Sequence, residues 1–263
     1  MIIKIIILLC LLLIAYKNNI NIIKDNIDNL CDYSKDYKSC IPKIIHQTYY
    51  DKNKIPQKVY DNINKYAEGY KHIIYDDNDC VNYLEKYYGT EFVNLFNSFE
   101  KGAHKADLFR YCVLYNEGGV YLDIKTELIQ PIKNIFNEKD TFYSVLSIIR
   151  KTIYQGVIAT PPKNKIFLKL IYFMLKIKKP VKKYLIFTKH LYAVIAREIE
   201  RKVLYEGYNY NSKKSKTIYK FFTEKCVKNG TNCYDGIDKY GLCCFIKYKN
   251  KNIIKTRYSD FPW

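Results

Sequence analysis

Glycine and proline are scarce, 10 and 7 in 263 residues, which excludes collagen-like, low-complexity and linker-dominated chains. Acidic residues are outnumbered, 26 against 44 Lys and Arg, leaving a net charge of +18. Such a charge attracts polyanions in general. A nucleic-acid groove is nevertheless not what it marks. Arginine, the better reader of bases, is rare, zinc-finger spacing is absent, and the lysines are scattered from Lys4 to Lys255. No specific nucleic-acid partner is expected. No apolar run reaches the ~20 residues that span a bilayer, and no internal repeat is present.

What is abundant is aromatic surface. With 28 Tyr, 13 Phe and 48% hydrophobic residues, the chain can bury a substantial core, and intrinsic disorder is excluded. The longest apolar run, Ile5 to Ala15, lies between Lys4 and Lys17. It has the length of a signal-peptide core. No small-x-small cleavage site follows it, so an uncleaved signal anchor over residues 1–16 fits about as well. Either reading sends the chain to a membrane system. The expected location is a single-pass type II protein facing a Golgi- or ER-like lumen, or the secretory route, with the membrane contacted through this segment. Residues 17–40, polar and rich in Asn and Asp, read as a stem.

Cys226, Cys233, Cys243 and Cys244 cluster near the C-terminus, beside the glycosylation sequon Asn229-Gly230-Thr231. In a lumenal protein this points to disulfides, with zinc as the alternative. The pairing is not legible from the sequence.

From residue 41 the chain alternates short strands and helices. "IPKIIHQTYY" opens with a strand, and "VYDNINKYAEGY" has helical spacing after Pro56. "YKHIIYDD" is a strand, and "DNDCVNYLEKYYG" a helix closed by Gly89. "HKADLFRYCVLYNEGG" is a helix with Ala106, Leu108, Phe109, Cys112 and Val113 as its apolar stripe, ended by Gly118. "VYLDI", "TFYSVLSI" and "QGVIAT" read as strands, and "NKIFLKLIYFMLKI" as an amphipathic helix. The order predicts an α/β domain over 41–263 with a largely parallel sheet. Residues 178–263 read as a less regular, partly helical, Cys-containing portion.

Two places carry candidate chemistry. Asp107 and Arg110 are three apart on one helix and share a face, as a surface ion pair or as groups aimed into a cleft. In "EGGVYLDIKTE" the polar set Tyr121, Asp123 and Lys125 alternates with Val120, Leu122 and Ile124, which puts Asp123 at the end of a strand, where α/β sheets bind ligands.

The blocks "IPKIIHQTYY", "ADLFRYCVLYNEGGVYLDIKTE" and "IATPPKNKIFLKLI", in this order, resemble glycosyltransferase family 32, the DXD-containing sugar transferases that include mannosyltransferases. The resemblance spans about residues 41–190. It implies a GT-A fold, a Rossmann-like α/β domain that binds a nucleotide-sugar donor and commonly Mn²⁺ or Mg²⁺. The implied reaction is retaining transfer of a hexose, mannose by family analogy, to a glycan, glycolipid or protein acceptor. Carried onto this sequence, Asp107 and Arg110 would hold the donor sugar and diphosphate, and Tyr121 would lie near the diphosphate. Asp123 would be the first DXD carboxylate, and the backbone at His46 and Gln47 would sit near the nucleotide. Ser259 and Trp263 would belong to a C-terminal loop over the donor. The second DXD carboxylate is replaced by Lys125. Three outcomes follow: Asp123 keeps a metal with another acid such as Asp260 or Glu127; Lys125 stands in for the metal as a fixed cation; or the fold binds nucleotide-sugar without turnover.

Overall fold

The computed structural model describes residues 40–177, 185–228 and 242–256. The expected anchor, the stem up to residue 39, the sequon, Cys233, Ser259, Asp260 and Trp263 lie outside the described residues. Among the described residues no helix is long and apolar enough to cross a membrane.

The first strand, β1 (Ile44–Thr48), pairs in parallel with β2 (Lys71–Tyr75) and with β3 (Gly119–Leu122). Helix α1 (Gln57–Tyr66) connects the first two, burying Val59 and Ile63 one turn apart. Helix α2 (Asp77–Tyr88) begins with a reciprocal cap, Asp76 accepting from the Asp79 amide while Asp79 accepts from the Asp76 amide. Gly89 ends α2 at φ 87° and opens α3 (Thr90–Ser98) directly. The sequence reading did not anticipate α3, because the two helices share one glycine with no intervening loop. Helix α4 (Gly102–Glu117) then leads through the glycine pair into β3.

Beyond the two-residue β4 (Glu127–Leu128), β5 (Thr141–Leu146) and β6 (Ile153–Thr160) form a hairpin, followed by α5 (Lys165–Leu175) and α6 (Ile186–Glu198). The described residues continue with β7 (Tyr210–Asn211), β8 (Ile218–Lys228), β9 (Leu242–Tyr248) and β10 (Lys251–Lys255). The ten strands of the described residues belong to one sheet, in the order β2-β1-β3-β6-β5-β8-β9-β10-β4, with β7 beside β8.

Three expectations are corrected. The sheet is mixed: β1–β2, β1–β3 and β5–β8 are parallel and every other pairing is antiparallel. Of the portion after residue 178 that reads as less regular, the described residues supply α6 and β7 to β10, and these strands are integral to the sheet. Strand β3 stops at Leu122, and Asp123 to Thr126 form a turn closed by the Thr126 amide on the Asp123 carbonyl at 2.8 Å. The alternation of Tyr121, Asp123 and Lys125 along one strand therefore does not exist, and Val120, Tyr121 and Leu122 are all buried. A central strand has no solvent face to alternate with.

Helices α2 to α6 cover one face of the sheet through Leu84, Phe96, Phe109, Phe167 and Leu191. The other face gathers Ile45, Ile63, Val120, Val145, Phe222 and Ile254. Helix α4 is buried around most of its circumference, His104, Asp107 to Leu114 and Asn116 all lying inside. The predicted apolar stripe is thus only part of a central helix.

The glycine pair is required by space as well as by conformation. Gly118 has φ 65°, and a Cβ there would lie 2.5 Å from the Pro162 nitrogen and 2.8 Å from the Thr160 oxygen. Both are backbone atoms that cannot swing aside. Gly118→Ala is expected to cost roughly 2 kcal/mol or more, read as a lowered urea midpoint at unchanged m-value.

Cys226 and Cys244 face each other on β8 and β9 and form a disulfide. Glu224 lies within 4.8 Å of both sulfurs. The disulfide consumes the two thiolates that zinc would have needed there. Cys40, Cys80 and Cys112 are free thiols. The bond closes a loop of 18 residues. Replacing both cysteines by serine should cost about 3 kcal/mol, measured as the difference in thermal midpoint under non-reducing conditions.

Candidate active site

The ends of β1, β3, β5 and β8 and the start of β6 share one edge of the sheet. At that edge a cleft is lined by Ala103, His104, Asp107, Arg110, Asp123 and the Tyr154–Gly156 segment. Helix α4 supplies the first four, the turn after β3 supplies Asp123, and β6 supplies the rest.

Arg110 organises the cleft. Its Nε donates to the Ala106 carbonyl at 3.1 Å, its Nη1 donates to the Gln155 carbonyl, and its Nη2 donates to Asp123 Oδ1 at 3.2 Å. Its guanidinium lies 4.3 Å over the Tyr121 ring, a cation–π contact strengthened by burial. Nearby Tyr121, Asp123 and Asp107 raise the Arg110 pKa against the effect of burial, so it stays charged. The sequence left open a surface pair for Asp107 and Arg110. Both are in fact buried, with Asp107 Oδ1 3.5 Å from Arg110 Nε.

Asp107 is the unusual acid. Burial pushes its carboxyl up to about 7, with Arg110 pulling down and Asp123 pushing up. Because the folded value is raised, the native state holds the proton more tightly than the unfolded chain. Stability should therefore fall as pH rises from the ordinary value of 3.8 toward about 7. In Asp107→Asn that part of the slope is expected to vanish, leaving the variant relatively better at alkaline pH than at acid pH. Urea midpoints at several pH values across that window test this.

Asp123 is held by backbone as well. Its amide donates to the Gly156 carbonyl at 2.7 Å, and its carbonyl accepts from Thr126 N and from Gln47 Nε2 at 3.4 Å. Gln47 Oε1 in turn accepts from His72 Nε2 at 2.7 Å. His46 Nε2 must donate to the Gly118 carbonyl, 3.1 Å away, so its Nδ1 accepts from the Tyr75 hydroxyl. Burial lowers the His46 pKa, which keeps this tautomer neutral. The side chains of His46 and Gln47 are thus fully buried supports of the glycine turn and the Asp123 turn and do not line the cleft. Tyr121 is also fully buried. Its hydroxyl meets Thr48 Oγ1 at 2.7 Å, and its ring supports Arg110. Lys125 is half-buried at the third position of the turn.

Sequence reasoning missed the contribution of β6 and His104. Gln155 Oε1 accepts from the buried Tyr111 hydroxyl, and its Nε2 has no hydrogen-bond partner among the described residues. Gly156 leaves room for its neighbours, since a Cβ there would overlap the Tyr154 ring and come within 2.6 Å of Asp123 Oδ2. The one available signal was a glutamine and a glycine inside the apolar run "IYQGVIAT".

The described residues do not assemble a divalent-cation site at Asp123. One carboxylate oxygen is engaged by Arg110. The position that would carry a second carboxylate carries an ammonium, which repels the hard cations that oxygen ligands attract. Glu127 pairs with Lys255 at 3.5 Å. Among the described residues, the grouping of metal-type ligands is Glu224 with the disulfide cysteines, not one at Asp123.

Residues 54–142 match the family model described as "Glycosyltransferase sugar-binding region containing DXD motif". This segment contains Asp107, Arg110 and Asp123 and bears out the resemblance drawn from the sequence. Mannosyl phosphorylinositol ceramide synthase CSH1 of Saccharomyces cerevisiae is 30% identical over 138 residues, 50% of this chain and 34% of the relative. Inositol phosphoceramide mannosyltransferase 1 of Schizosaccharomyces pombe is 30% identical over 108 residues, 39% of this chain and 33% of the relative. An uncharacterized glycosyltransferase of Acanthamoeba polyphaga mimivirus, L373, is 28% identical over 133 residues, 48% of this chain and 53% of the relative. The chain thus spans about a third to a half of the length of these relatives. Among solved structures, the PaToxG glycosyltransferase matches with a TM-score of 0.47 and 17% identity, over 71% of this chain and 79% of that one.

Proposed function

We propose that the chain is a retaining glycosyltransferase of GT-A type that moves a hexose, mannose by likeness to its relatives, from a nucleotide-sugar to a lipid, glycan or protein acceptor. The observation that carries this reading is the buried Asp107–Arg110–Asp123 constellation at the sheet edge, within the segment that matches the DXD family model. Departure of the nucleoside diphosphate develops negative charge. A guanidinium fixed by three hydrogen bonds and a ring needs no reorganisation to meet it. Asp107, carrying or sharing a proton near neutrality, suits a contact to a sugar hydroxyl. Attack by the acceptor on the face the diphosphate leaves gives retention without a protein nucleophile, so none is assigned.

Lys125, half-buried two positions after Asp123 in the same turn, is proposed to stand in for the metal as a fixed cation. A donor screen by nucleotide release, with EDTA and with Mn²⁺, tests both points. Turnover of one nucleotide-sugar that persists in EDTA supports the reading. Full loss in EDTA restored by Mn²⁺ would sink the lysine-for-metal role and return Asp260 as a ligand. Donor binding without any turnover would make the protein a binder on the same fold. The Cys226–Cys244 disulfide supports an oxidising compartment. A lumenal type II topology through residues 1–16 is proposed with it.

A further inference from the structure

The loops on either side of the cleft have a common chemistry. After β5, Ile148 and Ile149 are 56% and 43% exposed, followed by the exposed Arg150 and Lys151. After β1, Tyr50 is 57% exposed, with Lys54 Nζ 4.9 Å over its ring and 3.6 Å from Asp51 Oδ2. In strand order β3 and β6, which carry the cleft, lie between β1 and β5. Three strand spacings, about 14 Å, separate the two loops, so they bracket its mouth.

The β5–β6 tip is built to keep its isoleucines outside. Thr152 N and Oγ1 both donate to the Ile149 carbonyl, at 3.2 and 2.6 Å. The buried Glu224 accepts from Ser147 Oγ at 3.0 Å and from the Ile148 amide at 3.4 Å. Lys151 sits at φ 58°, and the Ser147 amide closes on the Thr152 carbonyl. A tip pinned by this many bonds cannot fold its apolar side chains back onto the core. Adjacent exposed isoleucines with two cations fit neither a polar solvent face nor a purely apolar partner.

We infer that these bracketing loops dock on an anionic bilayer surface, the isoleucines and Tyr50 entering the interface and the cations meeting lipid phosphates. The cleft then faces the membrane surface. This rests on the reading of the cleft as the donor site.

The test uses the full chain carrying Ile149→Trp, with the wild-type chain as the background for Trp263. It is mixed with vesicles of phosphatidylcholine plus phosphatidylserine, or of phosphatidylcholine alone, each made with and without dibrominated acyl chains. Expected are a blue shift and bromine quenching of the new tryptophan on the anionic vesicles. Adding Arg150→Ser and Lys151→Ser should weaken this docking about 30-fold, and high salt should do the same. No quenching beyond the wild-type background overturns the inference, as does equal quenching on neutral vesicles. Donor hydrolysis by the same proteins, measured without vesicles, should be unchanged by all three substitutions. Turnover without docking defeats this inference alone, and docking without turnover defeats the proposed function alone.

Discussion

Asp123→Asn is expected to lower nucleotide release from the matching donor by about 100-fold or more, while the thermal midpoint moves little. The side-chain carbonyl of asparagine can still accept from Arg110 Nη2, and the backbone bonds to Gly156, Thr126 and Gln47 are untouched. What is removed is the negative charge beside the guanidinium. Asp123→Ala should show the same loss of turnover with an added loss of stability, because Arg110 then loses one of three acceptors while buried. The contrast matters more than either value. Equal stability in the asparagine variant with full turnover would show that Asp123 is only structural.

Arg110→Ala should be the more damaging substitution. It removes the hydrogen bonds to Ala106, Gln155 and Asp123 and the stack on Tyr121. It also leaves Asp107 buried without its cation. Breaking a buried pair from one side costs about 3 kcal/mol or more, on the order of 10 °C for a domain of this size. Turnover should be undetectable. Arg110→Lys separates the two effects. A lysine keeps a charge but cannot reach the Gln155 carbonyl and Asp123 together. It should recover much of the stability and little of the activity, measured by calorimetry and by nucleotide release on the same preparation.

The sequence disclosed the helix–glycine–strand block almost whole, because each signal there is local. Gly118 ends α4, apolar β3 follows, and Asp107, Arg110 and Asp123 come together across one tight connection. The failures were of another kind. Whether two strands run parallel depends on their connections, and β6 inserts beside β3 in the opposite sense, Leu122 against Val157. That pairing brings Gln155 and Gly156 to Asp123 from 32 and 33 positions away, and no periodicity announces it. Strand β8, "IYKFFTEKCVK", interleaves lysines with aromatics and was hidden by its charge. Its Lys220 pairs with Glu138, which gives a cation within the strand an acidic partner. The supports of the site were also invisible. His46 and His72 read as candidate chemistry or as nothing, while their work is to hold carbonyls and an amide in place.

Strand β4 follows β3 after a four-residue turn, yet it is hydrogen-bonded at the far end of the strand order, to β10. Lys255 pairs with Glu127 and Ile254 with Leu128. Asn62 of α1 also holds Leu128, through its carbonyl and its amide, at 2.8 and 2.9 Å. During synthesis, then, Asp123 leaves the ribosome with the stretch that follows it still lacking its sheet neighbour. That neighbour is translated some 125 residues later, roughly 6 to 25 seconds at ordinary elongation rates of about 5–20 residues per second. A nascent chain interrupted before residue 251 would carry Asp107, Arg110 and Asp123 with β4, which follows the Asp123 turn, held by Asn62 but not yet by its sheet neighbour.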